Sequence, residues 1–295
     1  MNALHWENIE KAAGELRLLG IRVHQDGRER DVRLWDEECR RNIYSASKSV
    51  TALAVGIAIQ EGLLALDEKL TEAFARDMPA CPDENLSKAT VRDLLTMCLG
   101  QKKAMLMGGQ RPKIQEEDWV KLAFSVPFTD VPGTRFCYNN AGPYLAGMLV
   151  QRRCGCDLVQ YLRPRMFDRM GIRNPTWEHD PLGNTFGAGG LFLSLEELHR
   201  IGVLCLQEGV WDGKRIVDAQ WIRECGKKQV ENGREGYGYL FWRGPANSYR
   251  ADGKYGQWSI VLKDWNAVVT VTAECRCTDR MQEVLFSELV PQLMR

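Results

Sequence analysis

The sequence predicts an α/β protein in which one mixed sheet, built from the two ends of the chain, is interrupted by a helical insertion. Three observations carry this expectation. β-type runs occur near the N-terminus (Gly20–His24 and Asp31–Trp35) and again in the last third (Tyr237–Arg243, Gln257–Leu262 and Ala267–Ala273). Segments with apolar residues at helical spacing fill the middle. The chain has 295 residues, enough for about two domains at ~150 residues each, or one with a large insertion.

Taken in order, the first two runs flank Gln25-Asp26-Gly27 and read as a hairpin around an Asp-Gly turn. From Ser45 to Gly62, Val50, Leu53, Ala54, Ile57 and Ala58 recur at helical spacing, and Gly62 stops the helix. A short linker-like stretch, LLALDEKL, follows. Thr90–Cys98 opens with a Thr-x-x-Asp capping box and ends at Leu99-Gly100. Residues 101–118 lack periodicity and read as a long loop, a class that is often functional in compact domains. Helices are expected at Glu117–Phe124, Asn140–Arg152, Leu158–Met170, Glu196–Gly209 and Ala219–Lys227, and an amphipathic helix over 281–294. Pro132-Gly133 reads as a turn.

Composition excludes several classes. Hydrophobic residues at 44% and charged residues at 26% describe an ordinary globular chain rather than a disordered or fibrous one. The 39 basic and 39 acidic residues cancel, which leaves no electrostatic footprint for nucleic acid or a membrane surface. The longest weakly polar run, Ser49–Ile59, falls short of the ~20 residues of a membrane span. The first residues carry Glu7, Glu10 and Glu15 with no basic-then-apolar pattern, so a cytoplasmic location is expected. The ten cysteines are scattered and read mostly as small buried hydrophobes rather than a disulfide framework. Cys154/Cys156 and Cys275/Cys277 form C-x-C pairs without a matching His or Cys pair at zinc spacing, and the four histidines form no metal motif, so no metal is expected.

Chemistry concentrates in three places. Ser45 and Lys48, in YSASKS at the start of the apolar helix, stand one helical turn apart on one face. A serine hydroxyl needs a base to become a nucleophile, and a desolvated lysine can be that base. Free N–H groups at the helix start can stabilise an oxyanion. Taken alone, so short a motif reads first as an N-cap serine followed by a chance lysine. Tyr138 and Asn140 follow Pro132-Gly133; a tyrosine beside a cation can act as base or proton shuttle, and an asparagine can orient a substrate carbonyl or hold the lysine. Read alone, they are a core tyrosine and an N-cap. RADGKYGQ at 250–257 leads into a strand and can present backbone N–H groups, or is a plain turn.

The three features, with TVRDLLTMCLG, PGTRFCYNNAGPYLAG and GAGGLFLSLEELHRIGVLCLQEGVWDGKRIV between and around them, resemble the serine β-lactamase-like family. The resemblance is to the class C-like branch, with its DD-peptidases, family VIII esterases and 6-aminohexanoate-dimer hydrolases, and it covers most of the chain. It implies an antiparallel sheet flanked by helices with an inserted, mostly helical subdomain. The sheet domain would comprise residues 1–63 and 169–295, and the subdomain 64–168, with the active site between them. It also implies roles. Ser45 would be the acylated nucleophile, Lys48 its base and Tyr138 the proton shuttle. Asn140 would orient substrate or Lys48. The Ser45 N–H and one from the third motif would form the oxyanion hole.

The third motif departs from the Lys-Thr-Gly of class C lactamases. The strand matches best with Gly253 as the motif glycine and Lys254 supplying the N–H. A cation for a β-lactam carboxylate is then displaced, unless Lys254 turns inward. Met105, Leu106 and Met107 of the 101–118 loop would wall the acyl pocket, or the loop would be a disordered surface segment, and Trp177 and Asp180 would shape the cleft or serve the structure. The expected function is a serine hydrolase that cleaves a small ester or amide through an acyl-enzyme, with no cofactor and neither nucleic acid nor membrane as partner. The alternatives are an acyltransferase on the same site, β-lactamase or DD-peptidase activity, and a non-catalytic sensor.

Overall fold

The computed structural model describes residues 3–294. The chain starts with α1 (Glu7–Leu16), the hairpin β1 (Leu18–Gln25) and β2 (Arg28–Leu34), the short β3 (Arg41–Asn42) and α2 (Ser47–Gln60). Then come α3 (Leu70–Ala73), α4 (Glu84–Lys88), α5 (Val91–Leu95), α6 (Trp119–Ser125), α7 (Ala141–Cys154) and α8 (Leu158–Leu162). The last part holds β4 (Thr176–Trp177), β5 (Leu191–Leu193), α9 (Leu195–Leu206), β6 (Val210–Trp211), β7 (Lys214–Arg215) and α10 (Ala219–Gly226). It closes with β8 (Trp242–Arg243), β9 (Tyr249–Gly253), β10 (Gln257–Leu262), β11 (Ala267–Ala273) and α11 (Thr278–Val284).

Six strands form an antiparallel sheet in the order β2-β1-β11-β10-β9-β8. The two ends of the chain meet where β1 pairs β11, from Leu18↔Ala273 to Gln25↔Ala267. Asp26 and Gly27 turn the first hairpin with positive φ at both positions, as a tight Asp-Gly turn requires. β11 is buried at every residue, because both faces of the sheet are covered. α1, α11 and the C-terminal turns seal one face over Ile21, Trp258, Val269 and Val271. α9 packs on the other. The main core joins α2, α5, α7 and α8 to α9, α10 and that second face through Val261 and Val268. β3, β5 and β4 form a second, three-stranded sheet, and β6 pairs β7. Among the described residues no named strand falls between Asn42 and Thr176, and no helix is long and apolar enough to cross a membrane.

Several elements depart from the sequence expectation. α1 was not foreseen. α2 starts at Ser47, after a 3-10 turn over Tyr44–Ala46. α5 stops at Leu95, short of Cys98, and Met97 takes a positive φ. Only Trp242–Arg243 of the run Tyr237–Arg243 is strand; Leu240 has φ 59°, and the segment folds back on itself, with Tyr237 bridging Trp242 and Gly238 N–H donating to Phe241 O (2.9 Å). The segment expected as one helix over 281–294 is α11 followed by a π turn and a 3-10 turn, with Pro291 in the last. Only Cys98, Cys205, Cys225 and Cys275 of the ten cysteines are fully buried, and all ten are free thiols.

Candidate active site

The 3-10 turn between β3 and α2 presents Ser45. Its shape is set locally. Asn42 Oδ1 accepts from Tyr44 N–H (2.7 Å), Tyr44 O accepts from Ser47 Oγ–H (2.6 Å), and Ser47 Oγ accepts from Leu191 N–H of β5 (3.1 Å). Tyr44 is held at φ 48°, a left-handed conformation uncommon for a tyrosine, immediately before the serine.

Lys48 lies in the first turn of α2 and is 1% exposed. Its Nζ is 2.9 Å from Ser45 Oγ and donates to Ala188 O at 2.6 Å. Burial pushes the lysine down to about 7, helped by the nearby Arg111 charge and opposed by Asp252. The amine is therefore substantially unprotonated near neutral pH. Tyr138 completes the group. The Lys48 ammonium position is 5.1 Å from its ring centre, and its phenol hydrogen-bonds Ser45. Burial and the Asp252 charge push the phenol above its usual range, so it stays protonated. Trp242 packs on Tyr138 at 5.5 Å between ring centres and fixes the ring.

Ser45 opens into a cavity of about 480 Å³ lined also by Tyr44, Met107, Arg111, Asn140 and Lys254. Lys254 reaches it because β9, which ends at Gly253, abuts the serine turn. A Cβ at Gly253 would stand 2.1 Å from Ile43 O, so only glycine allows this approach. The third motif is thus the end of β9 together with the turn over residues 254–256 that leads into β10. Gly253 pairs with Gln257, and the Lys254 ammonium sits 4.7 Å from the Tyr255 ring.

Asn140 is placed differently from one of its expected roles. Lys48 is held by Ala188 O, while Asn140 Nδ2 donates to Leu106 O (2.9 Å) and its N–H to Met105 O (3.2 Å). Asn139 adds to this anchor, with Oδ1 accepting from Met105 N–H at 2.9 Å. The asparagines thereby tie the 101–118 loop to the start of α7. Asn140 Oδ1 is buried without a hydrogen-bond partner among the described residues. Met107 reaches the cavity wall, whereas Leu106 turns into the core.

Trp177 does not line the cavity. It is buried on β4, paired with Leu191 of β5, and its Nε1 donates to Gly189 O (2.9 Å) in the bend that carries Ala188. Asp180 is structural too: it accepts from Tyr144 Oη–H (2.7 Å) and from two backbone amides of its own turn.

Several groups at the site were not foreseen from the sequence. Arg111 stands over the Phe186 ring (4.4 Å) and pairs with Glu178 at 2.9 Å, bridging the loop to the segment after β4. Asp252, on β9, pairs with Arg250 at 2.8 Å. Ala188 acts through its carbonyl, which no side-chain motif can announce. Arg111 lies in a stretch without periodicity. Among the described residues no group of three or more His, Cys, Asp or Glu is arranged to hold a metal ion.

The chain is 28% identical over 150 residues to lovastatin esterase of Penicillium rubens, a stretch that is 43% of this chain and 37% of the esterase. It is 28% identical over 163 residues to monacolin J acid methylbutanoyltransferase of Aspergillus terreus, 48% of this chain and 38% of the transferase. The matched part spans well under half the length of these relatives. Among solved structures, a putative 6-aminohexanoate-dimer hydrolase from Bacillus anthracis superposes with a TM-score of 0.77 at 16% identity, covering 97% of this chain and 83% of that one. A penicillin-binding protein from Bacillus halodurans superposes at 0.73 and 16% identity, covering 95% and 99%. These likenesses show the fold, an antiparallel sheet with helices on both faces. The β-lactamase family model matches residues 10–280, nearly the whole chain, and the protein belongs to the β-lactamase family.

Proposed function

We propose that the protein is a serine hydrolase that cleaves a small ester or amide through an acyl-enzyme on Ser45. One observation carries this reading: a fully buried lysine, held near neutrality, stands 2.9 Å from a serine hydroxyl that opens into a cavity. In acylation, Ser45 Oγ attacks the substrate carbonyl and passes its proton to Lys48 Nζ. The negative charge on the carbonyl oxygen is met by the N–H groups of Ser45 and Lys254. Tyr138, a protonated phenol bonded to Ser45, relays a proton to the leaving alcohol or amine as the tetrahedral adduct collapses. Water then attacks the acyl-enzyme along the reverse path and frees the acid and Ser45. Asn140 Oδ1, buried and unpartnered beside the cavity, would accept a hydrogen bond from the acyl portion of the substrate.

Transfer to an alcohol instead of water is the second reading. It is supported by the matched stretch falling in one relative named as an esterase and another named as a transferase. The same acyl-enzyme serves both, and adding acceptor alcohols to the assay separates them by product.

The test is intact-protein mass after a fluorophosphonate probe, with Ser45→Ala alongside. A single adduct on the wild type and none on the variant is expected. Ester hydrolysis by Ser45→Ala should fall by about 10⁴-fold or more. An adduct of equal yield on the variant, or none on folded wild type, would overturn the proposal.

A further inference from the structure

The two C-x-C pairs of the sequence fold differently. Cys275 is buried on the sheet side and Cys277 is exposed, so that pair diverges. Cys154 and Cys156 converge. Cys154 is the last residue of α7, and Gly155 follows in the left-handed conformation, φ 71°, with its N–H on Gln151 O at 2.9 Å. This cap reverses the chain and brings the two sulfurs to 3.4 Å. Both side chains are half-buried, within reach of small solutes. Neither belongs to the cavity of Ser45.

We propose that Cys154 and Cys156 are a modification site for two-electron oxidants such as hydrogen peroxide, which convert them reversibly to an intramolecular disulfide. The sulfurs need to close by little more than an ångström to reach the ~2.05 Å bond. The step balances. A thiolate of the pair attacks one peroxide oxygen, the O–O bond breaks, and hydroxide leaves and is protonated to water. The resulting sulfenic acid is attacked by the second sulfur, the S–S bond forms, and a second water departs. Two thiols lose two hydrogens and one peroxide becomes two waters. Burial and the bond to Cys154 push the Cys156 thiol up to about 11, which suits Cys156 to the second step, as the thiol that attacks the sulfenic acid.

The sequence provides a clean assay. Trypsin cutting at Arg153 and Arg165 releases residues 154–165, which contain these two cysteines and no other; Arg163 is followed by proline. The native protein is treated with equimolar hydrogen peroxide, alkylated and digested. The expected product is this peptide unalkylated, two hydrogens lighter than its dithiol, and restored by dithiothreitol. Cys275 and Cys277, which trypsin separates at Arg276, should each remain alkylated in their own peptides. The disulfide should form roughly tenfold faster in the native chain than in the urea-unfolded one, because the cap holds the thiols together. With Cys156→Ser, Cys154 should accumulate as a sulfenic acid trapped by dimedone. Double alkylation of 154–165 after oxidation, a sulfinic acid end product, or equal rates in native and unfolded chains would each overturn the proposal. None of these outcomes bears on Ser45.

Discussion

Both groups that Lys48 Nζ touches, the Ser45 hydroxyl and the Ala188 carbonyl, are neutral. Nothing within hydrogen-bond reach repays the cost of burying an ammonium, so the proton leaves near pH 7. The sign of the pH dependence follows. The base form is the active one, so kcat/KM for ester hydrolysis should rise with pH through an apparent value of about 7. Arg111 lowers the lysine and Asp252 raises it. Arg111→Gln should therefore move the ascending limb to higher pH, and Asp252→Asn should move it lower. Lys48→Arg keeps a cation but cannot yield its proton, and should lose nearly all activity. Rate profiles of the three variants that superpose on the wild type would contradict this account.

At the scale of elements, α2 shows how context overrides periodicity. Its spacing suggests one apolar face, yet every residue from Ser47 to Ala58 is buried, because α7, α10 and the sheet enclose it. Gly56 packs tightly against α10. A Cβ there would stand 2.2 Å from the Trp221 indole, whose Nε1 donates to Ala52 O. Alanine is the better helix former by about 1 kcal/mol, but overpacking a rigid, buried indole costs ~1–3 kcal/mol. Gly56→Ala should thus destabilise the protein in urea titration, and a gain in midpoint would mean that Trp221 moves freely. α9 begins with a reciprocal cap: Ser194 Oγ accepts from Glu197 N–H (3.2 Å) and Glu197 Oε2 from Ser194 N–H (3.0 Å). Ser194→Ala should cost about 1 kcal/mol by the same measurement.

For the whole molecule, closure of the sheet buries two histidines that no motif singles out. His24 on β1 and His199 on α9 lie 6.2 Å apart beside a cavity of about 630 Å³, remote from Ser45. Burial pushes His199 down to about 3 from an ordinary 6.5, with His24 and Arg22 adding to the shift, and His24 is lowered as well. Both are neutral in the fold at pH 7. On acidification the unfolded chain takes up these protons first, so stability should fall from about pH 6.5 down toward 3. The urea midpoint should decline steadily from pH 7 to pH 4, and His199→Gln should flatten that decline. An unchanged slope in the variant would assign acid sensitivity elsewhere.

What the sequence by itself determined were the local and repeated features: the Asp26-Gly27 hairpin, the bounds of β10 and β11, the Thr90/Asp93 cap, and Ser45 and Lys48 one turn apart. Each rests on residues close in the chain, where propensity and spacing are enough. The five ordered segments that resemble the family extended this to the antiparallel sheet and to Tyr138. Tertiary structure alone decided the rest. The Lys48 partner is a backbone carbonyl 140 residues away. Arg111 enters from an aperiodic loop, Trp177 turns inward rather than into the cavity, and Gly253 meets the serine turn because β9 pairs with β10. The lysine's chemistry belongs to this second group, because desolvation is a property of surroundings brought together from distant parts of the chain, and no residue carries it alone.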